Sequence, residues 1–240
     1  WDSYDQIQDV RFKAYFINEP LLKNPRPSKI IAKYAGAGYG TPTENVADAK
    51  ETKIVLVAGK PSHPPRMHEF NAGVQLMAEC LKGIPNLDVQ FVLNGWPKDE
   101  SIFDGVDACI IYADGGGEFG EKYAFLQQKV NGGMGIMFMH YGVHPTKEVG
   151  EKYYNQWIGG FYDDEFSVNP SWIAEMTPKA GHPVSRGLSK PIRAYDEFYY
   201  NLNLDKSCNH CYPLATAIPT KQNVIRYGSS KFWNRQAEEL

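Results

Sequence analysis

Met134-Gly-Ile-Met-Phe-Met-His140-Tyr-Gly-Val-His144-Pro145 decides how this chain is read. An apolar run that does not alternate reads as a strand buried on both faces. It ends at Met139 in a turn of small residues that carries two histidines. Gly142 lets the backbone bend sharply and lift a side chain above the sheet edge. Enzymes with this strand–turn–helix arrangement place a nucleophile at the bend. Here the bend offers His140, which suits an acid, a base or a metal ligand better than a lasting covalent intermediate. The stretch therefore reads as an α/β enzyme scaffold whose bend serves other chemistry.

Outward from it, Ile54–Ala58, Val89–Leu93 and Ala108–Tyr112 are short apolar runs with strand character, and Ile136–Met139 is the fourth. Between them, Phe70, Val74, Met77, Ala78 and Leu81 recur at helical spacing over 68–82. Helices are also expected over 121–130 and 147–157. Strands alternating with helices predict a mostly parallel, doubly wound sheet of flavodoxin-like order, 2-1-3-4. Ligands in such sheets bind beyond the carboxyl ends of the strands. The loops there are Gly59–His68, Ala113–Gly120 and His140–Pro145, and they hold four of the six histidines.

The flanks read differently. Residues 1–50 show little periodicity and several turn signals, such as Asn24-Pro-Arg-Pro27, and predict an extended N-terminal arm before a domain over 51–240. From residue 158 the helical pattern gives way to turns at Gly159-Gly160, Asn169-Pro170 and Thr177-Pro178. Short strands are expected over 184–188, 192–202 and 212–218, as an appended β-rich segment.

The 240 residues are 42% apolar and 13% aromatic, enough for a sizeable core. A net charge of -3 with no Lys/Arg block argues against nucleic acid as a partner. No run of about 18 apolar residues predicts a membrane span. The chain begins at Trp1 rather than Met, which mildly favours a periplasmic or exported protein over a cytoplasmic one. The sequence is compatible with a homo-oligomer.

Each of the three loops could carry chemistry. Lys60-Pro-Ser-His63-Pro-Pro-Arg66-Met-His68-Glu69 leads into a helix, whose free N–H groups favour anions and ligand hydroxyls. His63 and His68 are catalytic candidates there and Arg66 a binding one; capping by His68 and Glu69 is the simpler alternative. In Tyr112-Ala-Asp114-Gly-Gly-Gly117-Glu118, three glycines allow close backbone approach, and Asp114 and Glu118 are candidate bases or ligands. The loop matches neither a phosphate-binding nor a dinucleotide fingerprint. The third loop offers His140 with Tyr141 and His144. His63, His68, His140 and a carboxylate would suffice to hold a divalent Zn, Mn or Fe ion, which needs about three N/O ligands. Farther on, Trp157, Glu197 and Tyr199 are candidate sugar contacts, because aromatic faces pack on the apolar face of a pyranose. Cys208-Asn-His210-Cys211 resembles half a zinc site without its second pair, so a disulfide or plain thiols are the simpler readings.

Taken together, Lys53-Ile-Val-Leu-Val-Ala-Gly59, His63, His68-Glu69-Phe70, Met139-His140-Tyr-Gly-Val-His144, Trp157-Ile-Gly-Gly160, Asn169-Pro-Ser-Trp172, His182-Pro183 and Asp196-Glu197-Phe-Tyr-Tyr200 resemble the ThuA-like (trehalose utilisation) family. The resemblance runs in order over about residues 53–202 and implies a class I glutamine amidotransferase-like fold. In that comparison His140 stands where the amidotransferases carry a Cys elbow, so amidotransferase activity is not expected. The resemblance implies bacterial carbohydrate metabolism, often beside sugar oxidoreductases, with keto-sugar or disaccharide derivatives as substrates. It also implies a further C-terminal element with a Gly-Gly-His-x-His-like segment, which this sequence does not contain.

The leading expectation is an enzyme that binds a small carbohydrate above strands one, three and four and works by histidine acid/base or metal-assisted chemistry. The alternatives are a non-catalytic carbohydrate-binding or accessory protein and an amidotransferase-like hydrolase.

Overall fold

The computed structural model describes residues 51–165, 167–180, 185, 188, 190–199, 201–208, 211 and 213–218. The expected arm over 1–50 lies outside them, as do His182, Arg186, Tyr200, His210 and everything after residue 218. The chain divides into two compact units. Among the described residues, one comprises 51–163 and 204–208, the other 164–203 and 209–218.

The first unit is a four-stranded parallel sheet in the order β2-β1-β3-β4, as expected. Its strands are β1 (Thr52–Ala58), β2 (Leu87–Val92), β3 (Ala108–Tyr112) and β4 (Gly135–Met139). β1 is central: Leu56 pairs with Phe91 on one side and Ile110 on the other. Side chains along a strand alternate between faces, and β1 is covered on both. Leu56 and Ala58 face helix α1 (Phe70–Leu81), where Phe70 and Val74 are buried. Val55 and Val57 join Cys109, Ile111 and Phe138 under helix α2 (Lys122–Asn131), whose Tyr123 and Leu126 are buried. A strand buried on both faces has no polar side to show, which is why it reads as an unbroken apolar run.

After β4 the chain makes a 3-10 turn over His140–Val143. The helix expected over 147–157 is present but not regular. It runs as α3 (Lys147–Val149), a π-helical turn (Gly150–Tyr154) and α4 (Asn155–Ile158). The Thr146 hydroxyl accepts from the Val149 N–H at 3.4 Å, and Gly159, at φ 79°, ends α4 in the left-handed conformation. Gly150 lies flat against the Phe161 ring, where a Cβ would come within 2.5 Å. β5 (Gly160–Phe161) follows.

The second unit pairs β6 (Ser171–Pro178) with β7 (Ile192–Glu197) antiparallel, Ala174 opposite Ala194 and Glu175 opposite Arg193. β8 (Asn203–Leu204) lies where the chain passes from one unit to the other, and β9 (Ala215–Thr216) pairs with the end of β6. β6 was not expected, because Asn169-Pro170 and Thr177-Pro178 mark turns at its two ends. The signal was nonetheless present as alternation: Trp172 and Ala174 are buried, Ile173 and Glu175 exposed. No helix among the described residues is long and apolar enough to cross a membrane.

Candidate active site

The loops that leave β1, β3 and β4 meet because those strands are neighbours. In the first, Pro61, Pro64 and Pro65 restrict the backbone, and Arg66 sits at φ 73°. Glu69 occupies the N-cap position of α1 without capping it; its carboxylate accepts from the Arg66 N–H instead. His68 does not cap the helix either. It turns to the second loop, with Nδ1 3.2 Å from the Asp114 Oδ1. His63 Nδ1 lies 3.7 Å from the same oxygen, and the two imidazole centroids are 3.8 Å apart. Ser62 Oγ lies 2.8 Å from His63 Nδ1. Two imidazoles and one carboxylate thus converge, contributed by two loops.

The third loop adds His140. Its backbone is left-handed, φ 52°, directly after β4, which costs a non-glycine residue about 1 kcal/mol or more. Such strain persists only where surrounding structure enforces it. Here the Tyr154 hydroxyl, itself buried, donates to the Gly142 carbonyl at 3.0 Å and ties the turn to the helix behind it. The His140 ring lies 4.9 Å from that of His68 and 6.5 Å from that of Tyr112. Its Nδ1 accepts from the Tyr141 N–H at 2.7 Å, so the neutral ring carries its proton on Nε2. Tyr141 lies 5.6 Å from His68 and 4.9 Å from His144, and His144 lies 4.3 Å from Tyr162.

The glycines of the second loop set how closely these loops pack. Gly115 lies against the His144 backbone, and the Gly116 N–H donates to the His144 carbonyl at 2.7 Å. Glu118 leans the other way, accepting from the Lys60 N–H at 2.7 Å, while its second oxygen is buried beside Gly59 without a hydrogen bond. Burial pushes the Glu118 carboxyl above its usual value, and the neighbouring Asp114 charge adds to the effect. Burial also holds His68 below the ordinary imidazole value. The hydrogen bond to Asp114 pulls upward against it and His63 pushes downward with it. His68 is therefore biased toward the neutral ring, which has a lone pair to offer.

Donor atoms of His63, His68 and Asp114 all lie within 4.8 Å of one another, a set that could hold a metal ion. The expected set was His63, His68 and His140 with a carboxylate; the donor atoms that come together are those of His63, His68 and the Asp114 carboxylate, and the His140 Nδ1 is engaged by a backbone N–H. Of the other candidates, Trp157 lies in the aromatic layer behind the sheet, parallel to Phe138 at 6.2 Å and donating to Gln127 Oε1 at 3.0 Å. Glu197 closes β7 and Tyr199 follows it, both in the second unit. Tyr112 and Tyr162 were not anticipated as neighbours of the histidines. Tyr112 could have been found as the last residue of β3; Tyr162 has no comparable signal.

Cys109 is buried in β3, which pushes its thiol up to about 12. Cys80 is exposed on α1, and Cys208 and Cys211 are disulfide-bonded, in line with the simpler reading of that segment.

Neither a protein-family model nor a curated protein matches the sequence. Solved structures do match. A protein described as ThuA-like from Bacteroides uniformis superposes with a TM-score of 0.56 at 14% identity, over 75% of this chain and 73% of that one. A second, also described as ThuA-like, from Parabacteroides merdae, gives 0.54 at 19% identity, over 72% and 71%. This chain has the ThuA-like fold. At such identities the likeness extends to architecture. Within the ThuA-like fold, the bend that ends β4 carries His140 in this chain.

Proposed function

We propose that this protein is a carbohydrate-processing enzyme that moves protons on a keto-sugar or keto-disaccharide at the bend after β4. The observation that carries the reading is His140 itself: a histidine held at φ 52° at a strand end, its Nδ1 engaged by the Tyr141 N–H, facing a His68–Asp114 pair. A ketone makes the neighbouring C–H removable, and the reaction then needs a base and a donor for the oxygen. His140 offers the Nε2 proton and serves as that donor. The His63–His68–Asp114 cluster serves as the proton acceptor, with Asp114 orienting His68. The carbon-bound proton passes to the cluster, the electron pair moves onto the carbonyl oxygen, and His140 protonates that oxygen to give an enediol. Return of a proton to either carbon makes the reaction an isomerisation or epimerisation. The carbohydrate class of the substrate is supported by the sequence resemblance and by the ThuA-like fold. The ring cluster of Tyr141, His144 and Tyr162 supports it too, as an aromatic surface for a sugar.

The test is proton exchange. The protein is incubated in deuterium oxide with keto-disaccharides, and deuterium uptake at the carbon beside the ketone is followed by NMR. Uptake by the native protein and its loss in His140→Ala, with the fold intact, is the expected outcome. Exchange at an unchanged rate in His140→Ala refutes the assignment. Saturable binding with neither exchange nor product makes the protein a carbohydrate-binding module instead. A cysteine-dependent hydrolase is disfavoured by the buried Cys109 and by the position of Cys80, which lies about 15 Å along α1 from its first turn by the 1.5 Å helical rise per residue.

A further inference from the structure

We infer that His63, His68 and Asp114 form a divalent transition-metal site with open coordination positions. The inference deepens the proton-transfer reading and rests on it for its role, though not for its geometry. In a tetrahedral site with bonds of about 2.1 Å, neighbouring donor atoms stand about 3.4 Å apart. The His68 Nδ1 to Asp114 Oδ1 distance is 3.2 Å and the His63 Nδ1 to Asp114 Oδ1 distance is 3.7 Å. Both edges lie close to that spacing, and all three donors fall within 4.8 Å of one another.

The donor chemistry is selective. Two imidazole nitrogens and one carboxylate oxygen suit Zn2+, Mn2+ or Fe2+ rather than Ca2+ or Mg2+, which prefer all-oxygen shells. Three protein ligands leave room for water and substrate, as in catalytic rather than structural sites. The ligands have different access: the His68 side chain is 13% exposed and that of Asp114 18%, while His63 is 33% exposed. Two donors are therefore anchored and the third lies on the open side, where an ion can enter. Scaffold rigidity supports the anchored pair. Asp114 lies two residues beyond β3, in a loop pinned by Gly115 against the His144 backbone, and His68 lies two residues before α1.

A cation there supplies a Lewis acid for the ketone oxygen and lowers the pKa of a water bound in an open position. With the ion held by His63, His68 and Asp114, a water in an open position would supply the proton-accepting group in place of the cluster. His140, 4.9 Å from His68 between ring centroids, keeps the role of donor and is not a ligand.

The experiment uses protein stripped with chelator, dialysed, and titrated calorimetrically with Zn2+ and separately with Mn2+, with no substrate present. Metal content is then measured after gel filtration. The expected result is one ion retained per chain, affinity lowered at least 100-fold in Asp114→Ala and His68→Ala, and affinity within about threefold of native in His140→Ala. His63→Ala, at the most exposed of the three ligands, is checked by circular dichroism so that loss of binding is separated from misfolding, and it is expected to weaken binding at least tenfold. No retained ion, or binding unchanged in Asp114→Ala and His63→Ala, overturns the inference. Loss of the ion in His140→Ala also overturns this ligand set. Because no substrate is involved, failure here leaves the deuterium-exchange test of His140 standing, and failure there leaves the metal result standing.

Discussion

Gly115→Ala tests the loop packing on which the site depends. A Cβ built on Gly115 lies 1.6 Å from the carbonyl oxygen of His144, 2.4 Å from its carbonyl carbon and 3.0 Å from its Cα. All three atoms are backbone, so no side chain can swing aside. Ordinary contact is about 3.5 Å, and the two loops must part by roughly 2 Å. That separation breaks the 2.7 Å hydrogen bond from the Gly116 N–H to the His144 carbonyl. Overpacking costs about 1–3 kcal/mol and the lost bond about 1 kcal/mol, so the variant should be roughly 2–4 kcal/mol less stable. In a chain of this length, 1 kcal/mol moves Tm by about 2–4 °C, so a fall of roughly 5–15 °C is expected. Gly116→Ala is the comparator. Nothing lies within 4 Å of its added methyl group, and only its left-handed φ of 67° opposes the change, at about 1–2 kcal/mol. Urea unfolding followed by circular dichroism, with thermal melts alongside, compares the two. If Gly115→Ala is no less stable than Gly116→Ala, the second and third loops do not pack as described, and the placement of His144 and Tyr141 falls with it.

Other expectations concern single groups. Tyr154→Phe removes the donor to the Gly142 carbonyl, so stability should fall by about 1–2 kcal/mol. Exchange at the ketone should slow more than substrate binding weakens, and an unchanged exchange rate would show that the turn holds His140 without it. Glu118→Gln probes the buried carboxyl, whose folded pKa is raised above 4.5. The folded state then holds that proton more tightly than the unfolded one, so the stability it contributes is present at low pH and lost as pH rises through the folded value. The urea midpoint of the variant should gain on the native protein from about pH 4.5 to neutrality; a gap that does not change with pH refutes the burial argument. Native protein treated with iodoacetamide should be labelled at Cys80 and not at Cys109, whose thiol burial raises to about 12. Labelling of both at equal rates would contradict the packing of β3.

The sequence by itself determined the sheet. Ile54–Ala58 and Ala108–Tyr112 are apolar at every position because both faces are covered, and Phe70 and Val74 recur at helical spacing because α1 has one buried face, whereas Ile136–Met139 is equally apolar although Met137 leaves one face of β4 exposed. Strand order followed from chain connectivity, which placed the loops after β1, β3 and β4, two of them bearing histidines, at one sheet end. β6 escaped because prolines flank it and its signal is a weak alternation from Trp172 to Met176. The π-helical turn has no signal in the local sequence; its first residue, Gly150, lies against the Phe161 ring, a contact made outside the helix. The arrangement of side chains within the site was decided only by tertiary structure. Whether Asp114 or His140 comes to His63 and His68 depends on side-chain directions across loops about 45 to 80 residues apart in sequence, and no local pattern encodes them. The same holds for the His140 tautomer. The Tyr141 N–H, 2.7 Å from Nδ1, favours the Nε2–H form in a turn where His140 sits at φ 52°.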